Sequence, residues 1–346
     1  MIETTITDEL TAPLFDEVSA FLSACPYPSY QQYPEWPGAV GQTTGHRYCF
    51  ALCREDDAII GFANIRRTAE IKGFWLATSQ RGPMVAELSR LPEVIRSMSA
   101  ELARANAYTW QLAPRARGRD LPIVAAALRA CGGKPLPDAE QSLHSATGVV
   151  WLDKPEEEIL AGFAGSGRRR IRQAEKAGVE VRRVQNDADL ALFEQAVATF
   201  SESKEDYNYS LPQAAQQCDL IARYGGAMHL AFCGDELLGV SSFVRQGTDA
   251  INWALASTGA NPKAQGNAAL VWAEMRAARA MGCECYDFAG MPVAAPTDEG
   301  EAGRMQFKNS FRPHKRPMVP MHTLPVNALS HAVLFNSRQA LRRLRA

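Results

Sequence analysis

The order of strand-like and helix-like segments repeats once along the chain, and this repetition constrains the fold more than any other feature. In the first half, strand-like runs at 47–53 and 58–67 precede helical patterns at 91–105 and 121–131. An apolar strand-like run at 148–153 then begins a second series of the same kind. Strands and helices in this order are typical of layered α/β or α+β domains. A chain of 346 residues has room for two of them.

Local patterns place the remaining elements. Four prolines in CPYPSYQQYPEWPG, at 25–38, predict an irregular loop after a first amphipathic helix at 13–25. In the second half we expect two helices between Lys154 and Gly178. The further elements predicted there are strands at 179–184, 227–233, 236–245, 249–256 and 283–290, and helices at 187–202, 211–224 and 267–281.

Composition and charge exclude several classes of protein. The formal net charge is −1, whereas a general nucleic-acid-binding domain is strongly basic, although a local basic groove stays possible. Eight cysteines lack any Cys-x-x-Cys pair, so neither a zinc site nor a disulfide framework is expected. The acidic start MIETTITDEL has no signal-peptide pattern, and no apolar run reaches the roughly 18 residues of a membrane span. We therefore expect a cytoplasmic protein without stable membrane insertion.

A dense run of cations stands out from this neutral background. SGRRRIRQAEKAGVEV contains Arg168, Arg169, Arg170, Arg172 and Lys176. On a helix, the first, fourth and fifth of these form one i, i+4 row, where like charges repel by roughly 0.2–0.5 kcal/mol per pair. The run is compatible both with a solvated helix face and with a surface that binds phosphates.

Three stretches of the second half, taken in order, resemble the Fem family of aminoacyl-tRNA-dependent transferases. They are WLDKPEEE running into RRIRQAEKAGVEV, then INWALAST followed by GCECYDFAG, then MQFKNSF. In the first half, only QQYPEW and RGPMV match, and loosely. The resemblance implies an α+β fold with two GNAT-like domains, each a mixed sheet flanked by helices. The domains expected are 1–147 and 148–322, with a C-terminal helix at 323–346 returning to the first.

The resemblance also implies a reaction, the transfer of an amino acid from tRNA to an amine, usually on a peptidoglycan precursor. Aminolysis of an ester needs a neutral amine held near the carbonyl and stabilisation of the oxyanion that forms, but no metal, cofactor or covalent intermediate. Lys308, between Phe307 and Phe311, matches the family's Phe-Lys motif and is the predicted catalytic cation. Asp287, at the end of a strand, is the second catalytic candidate, and it either orients or deprotonates the amine or caps its own turn.

The binding candidates come from the residues in and around these motifs. The substrate-binding candidates are Trp36, Lys204, Tyr207, Tyr209, Asn252 and Phe307, and the tRNA-binding candidates are Arg168, Arg169, Arg172 and Lys176. Family members that take a nucleotide-linked muropeptide carry a lysine shortly after the tryptophan and an arginine near 199–209. Here no lysine follows Trp36 closely, and Lys204 is the sole cation at 199–209. A smaller amine is therefore an alternative to the peptidoglycan precursor, since a diphosphate needs charge-assisted bonds.

Two other functions fit the same sequence. One is an N-acyltransferase that uses acetyl-CoA, whose pyrophosphate GNAT enzymes bind with a glycine-rich turn at a helix N-terminus. Gly266 opens the predicted helix at 267–281, but Lys263-x-x-Gly266-x-Ala268 is a degenerate version of that turn. The other is a non-catalytic GNAT-like module that holds a ligand in the cleft. Lys308 favours catalysis over the second of these.

Overall fold

The computed structural model forms two compact units. Residues Met1–Ser145 together with Pro317–Ala346 make the first unit, and Ala146–Arg316 make the second. The predicted domain boundaries lie after residues 147 and 322. The structure describes residues 1–137, 141–202, 212–291 and 299–335.

The first unit is a mixed sheet with helices. Its strands are β1 (Ile2–Thr7), β2 (Arg47–Glu55), β3 (Ala58–Ile71), β4 (Phe74–Ser79), β5 (Met84–Val85), β6 (Ala107–Leu112), β7 (Lys134–Pro135) and, from the C-terminal segment, β15 (His322–Pro325). Its longer helices are α1 (Ala12–Ala24), α2 (Trp36–Thr44), α3 (Leu91–Arg104) and α4 (Leu121–Ala130). The strands run in the order β1-β2-β3-β4-β6-β15-β7, with β5 on β3. Among the described strands of this unit, β4 and β6 pair in parallel, whereas the other neighbouring strands pair in antiparallel fashion.

Two predictions for the first unit are wrong in detail. The segment 25–38 is not wholly irregular, because α2 begins inside it at Trp36 with Pro37 in the first turn. Proline is tolerated there, since the first N–H groups of a helix have no partner within the helix. The C-terminal segment returns first as a strand, β15, which pairs with β6. A helical turn, α11 (Ala328–Ser330), and a π-helical turn, His331–Phe335, follow it. Residues 336–346 of the predicted helix lie outside the described residues.

The two loose matches of the first half pack against each other around Gln32. This side chain is fully buried, donates to the carbonyl of Gln80 at 2.7 Å and accepts from the Asn64 N–H at 2.8 Å. A Cβ at Gly82 would lie 2.6 Å from it, so only glycine fits there. QQYPEW and RGPMV therefore meet where Gln32 packs against Gly82, and the hydrogen bonds of Gln32 to Gln80 and Asn64 hold the loop onto the sheet.

The second unit is a second mixed sheet, and it contains the predicted motifs. Its strands are β8 (Ala146–Trp151), β9 (Val179–Arg183), β10 (Gly226–Cys233), β11 (Glu236–Gln246), β12 (Asp249–Ser257), β13 (Cys285–Gly290) and β14 (His314–Pro317). Its helices are α5 (Glu156–Gly162), α6 (Gly165–Lys176), α7 (Asp187–Glu202), α8 (Ala214–Tyr224), α9 (Gly266–Ala280) and α10 (Glu299–Asn309). Most of the elements predicted for this half are confirmed, whereas α10 and β14 were not predicted. MQFKNSF lies on α10 and the turn after it.

The strand order of the second sheet is β14-β8-β13-β12-β11-β10-β9. Strands β12 and β13 run parallel, as expected for strands joined by a crossover helix, here α9. Apolar residues of α9, among them Val271 and Met275, pack with Phe243 and Tyr286 in one buried cluster. Helices α7 and α8 contribute to a separate cluster on β10, β11 and β12. Helices on both faces leave the sheet buried, which explains its nearly continuous apolar strands.

A buried guanidinium joins three strands of this sheet. Arg316 of β14 donates through one nitrogen to Asp249 of β12 at 3.0 Å and to Asp287 of β13 at 2.7 Å. The three residues are 8%, 1% and 3% exposed. Asp249 also accepts from the Cys285 thiol at 3.1 Å. Because a buried carboxylate is stable only when it is paired, this shared arginine stabilises both aspartates.

We predict that Arg316→Met lowers the free energy of unfolding by about 3–5 kcal/mol at neutral pH, because it removes the guanidinium that both buried carboxylates contact. The difference should shrink as the pH falls, because burial already raises the pKa of Asp287 and its protonated form does not need a cation. Urea unfolding at several pH values measures both effects. Arg312→Met, at an exposed arginine of the same segment, should change stability by less than about 0.5 kcal/mol. Equal effects of the two variants would contradict the prediction.

Candidate functional site

The carboxyl ends of β12 and β13 form the candidate site. Their parallel register comprises Asp249 with Cys285, Ala250 with Tyr286 and Ile251 with Asp287. Beyond Ile251 and Asp287 the register ends, although β12 continues to Ser257 and β13 to Gly290. Ligands of open α/β sheets bind outside the carboxyl ends of parallel strands, where backbone groups are free of ladder bonds.

Lys308 of α10 reaches this end of β13. Its ammonium donates to the carbonyl oxygens of Phe288 at 2.8 Å and Gly290 at 2.7 Å. Between these residues Ala289 has a φ of 58°, so the strand leaves extended geometry there and exposes both carbonyls to one donor. Burial lowers the pKa of Lys308 to about 8, and the carboxylate of Asp287 opposes the shift. At neutral pH the side chain is therefore a cation, with one of its three N–H donors not used by these two bonds.

Asp287 lies next to this turn but not in open solvent. Its carboxylate accepts from the Ala289 N–H at 2.8 Å, from Arg316 and from the Thr147 hydroxyl. Burial raises the pKa of Asp287, and the Arg316 guanidinium is the largest opposing influence. The structure thus brings the two predicted catalytic residues together, with Asp287 holding the backbone turn that Lys308 binds. In this geometry Asp287 supports Lys308 and is 3% exposed.

Aromatic rings of the second and third motifs, together with Phe163, pack around Phe311 close to Lys308 in the chain. Phe311 lies 5.2 Å from Phe163, 5.4 Å from Phe288 and 5.3 Å from Phe307, measured between ring centroids. Tyr286 adds an edge contact with Phe288 at 5.1 Å. Such pairs favour specific geometries and exclude water, so they fix α10 against β13 and lower the dielectric around the ammonium. Phe307, predicted to bind substrate, is a partly buried member of this cluster.

Asn252 is the first residue of β12 beyond the parallel register, and it is partly buried. Its amide nitrogen donates to Glu274 of α9 at 3.0 Å. Glu274 is fully buried and also accepts from the Tyr286 hydroxyl. Burial raises the pKa of Glu274 to about 7, opposed by the side chains of Tyr286, Ser241 and Asn252. A buried carboxyl therefore adjoins a predicted substrate-binding residue.

The arginine-rich run forms α6, but its cations do not act alike. Arg168 donates to the carbonyl of Ala161 at 2.9 Å and to that of Phe163, so it caps the end of α5. Arg170 contacts Gln265 and lies 5.9 Å from the ring of Phe307. The remaining cations, Arg169, Arg172 and Lys176, are exposed and form no ion pair within the part of the chain that is described. These three are the ones available to an anionic partner.

The helix α6 is held at backbone distance from α10. A Cβ on Gly167 would lie 2.2 Å from the carbonyl oxygen of Ser310, which also accepts from the Ala164 N–H at 3.0 Å. Ser310 directly follows α10, two residues after Lys308. The arginine helix and the lysine helix are therefore in direct contact.

Other predicted site residues lie elsewhere. Trp36 is buried in the first unit, with its ring 4.9 Å from that of Tyr30. Lys204, Tyr207 and Tyr209 lie outside the described residues. Gly266 begins α9, and a Cβ there would lie 2.7 Å from the side chain of Leu238. Glycine at this position is therefore explained by close packing of α9 on β11.

The first and third motifs also line a cavity of about 520 Å³ beside β8. Its walls include Trp151, which is 41% exposed, with Lys154, Ile159, Phe311 and Arg312. The charged groups around it have both signs, since Asp153 and Glu158 also contribute. The cavity accordingly has no clear preference for an anion.

Sequence reasoning missed Glu274, Arg316 and Thr147. A signal existed for Glu274, because it shares the inward face of α9 with Val271, Met275 and Ala278 at helical spacing. The sequence carries no such signal for Arg316 and Thr147, because their partners lie on other strands and depend on the order of the strands in the sheet. In the described ranges no cluster of His, Cys, Asp and Glu could hold a metal ion, and no helix could cross a membrane.

Comparison with known proteins agrees with this architecture. A family model described as an acetyltransferase (GNAT) domain matches residues 164–309, less than half of the chain. A search of curated proteins found no match. Among solved structures, FemX aligns with a TM-score of 0.77 at 17% identity, covering 96% of this chain and 100% of that one.

Two further structures extend the likeness. L-PGS from Bacillus licheniformis aligns with a TM-score of 0.62 at 13% identity, covering 93% of this chain and 94% of that one. A tandem GNAT protein from the clavulanic acid biosynthesis pathway aligns with a TM-score of 0.52 at 13% identity, covering 94% and 99%. At such identities the likeness is one of fold. The predicted resemblance to the Fem family is confirmed at that level, and the chain is an α+β protein built from two GNAT-like domains in succession.

Proposed function

We propose that the protein is an N-aminoacyltransferase that moves an amino acid from aminoacyl-tRNA to an amine and forms an amide bond. The observation that carries the proposal is Lys308, a partly buried cation at the carboxyl ends of two parallel strands. Two of its N–H donors are fixed by backbone carbonyls, which leaves the third for a substrate oxygen. A cation held in place before the reaction stabilises a developing oxyanion without reorganising.

The reaction assigns simple roles to the site. The amine attacks the ester carbonyl of the aminoacyl group, the tRNA hydroxyl leaves, and one proton passes from the amine to the leaving oxygen. Lys308 faces the oxyanion of the tetrahedral intermediate, while Asp287, bound to Arg316, holds the turn that orients Lys308. The protein supplies alignment and charge, which suffices for an activated ester.

The fold and the surface charge support a tRNA donor. The structural likeness to FemX extends over almost the whole chain, and the motifs GCECYDFAG and MQFKNSF meet at Lys308. Arg169, Arg172 and Lys176 form an exposed basic face on α6, the helix whose buried Gly167 packs against the residue after α10. Unpaired surface cations of this kind bind nucleic-acid phosphates without sequence preference.

Acetyl-CoA as donor is the second candidate. It is favoured by the match of residues 164–309 to an acetyltransferase domain, and by the likeness to a tandem GNAT protein whose structure is described by the absence of AcCoA. The start of α9 argues against this donor, because it lacks the glycine-rich turn that would bind a pyrophosphate. Gln265 there has left-handed backbone geometry, and Gly266 is packed tightly against Leu238. An assay that offers mixed charged tRNAs or acetyl-CoA with a panel of amines separates the two. Transfer from acetyl-CoA alone would refute the tRNA proposal.

We expect Lys308→Met to lower kcat by about 10²–10³-fold, as loss of one oxyanion donor does. Because the variant also leaves two carbonyls without a donor, we expect a modest loss of stability. A thermal unfolding curve should show a lower Tm but a protein that is still folded at the assay temperature. Lys72→Met, at an exposed lysine of the first unit, is the matched control. Turnover near the wild-type rate in Lys308→Met would remove the catalytic assignment.

The rate should also depend on pH through the same group. The pKa of Lys308 is lowered to about 8, so the cation is present at pH 7 and is lost as the pH rises through 8. We therefore expect kcat to fall above about pH 8 when the amine concentration is corrected for its own ionisation. A kcat that stays constant from pH 7 to 10 would show that the charge of Lys308 is not required.

The basic face of α6 gives a further prediction. Replacing Arg169, Arg172 and Lys176 together by glutamine should raise the apparent KM for aminoacyl-tRNA. It should also make a plot of log KM against log salt concentration less steep, by about 1 in slope for each lost phosphate contact. The control replaces Arg119, Arg129 and Lys134 of the first unit, which are exposed and carry the same charge. An equal response of both triple variants would argue against a specific tRNA surface on α6.

A further inference from the structure

The side-chain amide of Asn252 can adopt only one orientation. One end of it lies 3.0 Å from Glu274 Oε2, 3.1 Å from the Ala254 carbonyl oxygen and 3.3 Å from the Ser242 carbonyl oxygen. All three neighbours can accept from it, and two of them, the carbonyl oxygens, can only accept. The NH₂ group must therefore occupy that end, since Oδ1 there would face lone pairs on every side. The amide is fixed by its surroundings.

The opposite end, Oδ1, consequently points away from these three acceptors. It accepts no hydrogen bond from any described residue, and it is not a fully buried atom without a partner. Asn252 stands immediately after Ile251, the last residue of β12 in the parallel register. On β13 the residue after the last parallel pair is Phe288, whose carbonyl accepts from Lys308 of α10. The acceptor Oδ1 of Asn252 and the ammonium of Lys308 are thus both attached to the first residues beyond the point where the strands part.

Glu274 has no access to a substrate, because it is fully buried on the inner face of α9. Its Oε2 accepts from both Asn252 and Tyr286, and Tyr286 is fully buried as well. A carboxyl group in an apolar helix–sheet interface is unfavourable compared with an aliphatic side chain of similar volume. Packing alone does not account for it, whereas fixing the amide of Asn252 does.

We propose that Glu274 is a positioning residue that holds the amide of Asn252 so that Oδ1 accepts a hydrogen bond from the acceptor amine. The proposal rests on the proposed amine-transfer function and names the group that holds the nucleophile. A neutral primary amine has two N–H donors and one lone pair. When Oδ1 accepts one N–H of the amine, the orientation of the amine is restricted, and its lone pair can be held toward the ester carbonyl. An amine lacking any N–H cannot make this contact.

A double-mutant cycle tests the proposal with whichever donor supports transfer. Asn252→Ala should lower kcat/KM for the amine about tenfold, as expected for one lost hydrogen bond of about 1.4 kcal/mol. Glu274→Met should have a similar effect in the wild-type background but less than a twofold effect when Asn252 is already alanine. The KM for the donor should change less than twofold throughout. Equal effects of Glu274→Met in both backgrounds would overturn the proposal.

Conservative variants separate positioning from general packing. Glu274→Gln keeps an oxygen that accepts from Asn252 and should retain kcat/KM within about threefold. If Glu274→Met fails to fold, Glu274→Gln and Asn252→Ala still decide between the two roles. A tenfold loss of kcat/KM in Glu274→Gln, or no loss in Asn252→Ala, contradicts the proposal.

A second measurement does not depend on activity. The side-chain NH₂ resonances of Asn252, identified by their absence in Asn252→Ala, should exchange slowly with solvent deuterium in the wild-type protein. In Glu274→Met they should exchange at least tenfold faster. Equal exchange rates would overturn the positioning role, even if no donor supported transfer. Failure of transfer with every donor would instead reject the proposed function, so the two failures are distinguishable.

Discussion

The shared guanidinium of Arg316 is the interaction on which the candidate site depends. It reaches across the sheet to Asp249 at the start of β12 and to Asp287 at the last parallel pair of β13. Those two aspartates bracket the short stretch in which the strands are paired. The network therefore determines where β12 and β13 are joined and where they separate. Asp287 in turn holds the N–H of Ala289, and Lys308 holds the carbonyls on either side.

Charge and packing at this place are coupled. The aromatic cluster around Phe311 keeps water from one side of Lys308, and the lowered pKa of the ammonium reflects that burial. A lysine on the same helix in open solvent would keep its ordinary pKa and its hydration, and would stabilise an oxyanion less. The motif MQFKNSF is thus a physical unit, in which the phenylalanines determine what the lysine can do.

Much of the fold was predictable from sequence, and most of the site's support was not. Hydrophobic periodicity located the paired sets of strands and α9, because apolar spacing is a local property. Lys308 was identified through resemblance and Asp287 through its position at a strand end, and the structure places them side by side. Arg316 could not be assigned a partner, since its contacts join residues 29 and 67 positions away in sequence. The run of arginines was also ambiguous, because capping of α5 by Arg168 depends on the turn between two helices.

The contact between Gly167 and Ser310 separates two properties of the arginine helix. Its outward charges can be exchanged one at a time, because no buried group relies on them. Its glycine cannot be exchanged, because any side chain would push α6 away from the segment that follows Lys308. Divergence or engineering can therefore retune how strongly this surface attracts a polyanion while the reactive end of the sheet stays in place. Affinity for a partner and alignment of the chemistry are, at this helix, independently adjustable.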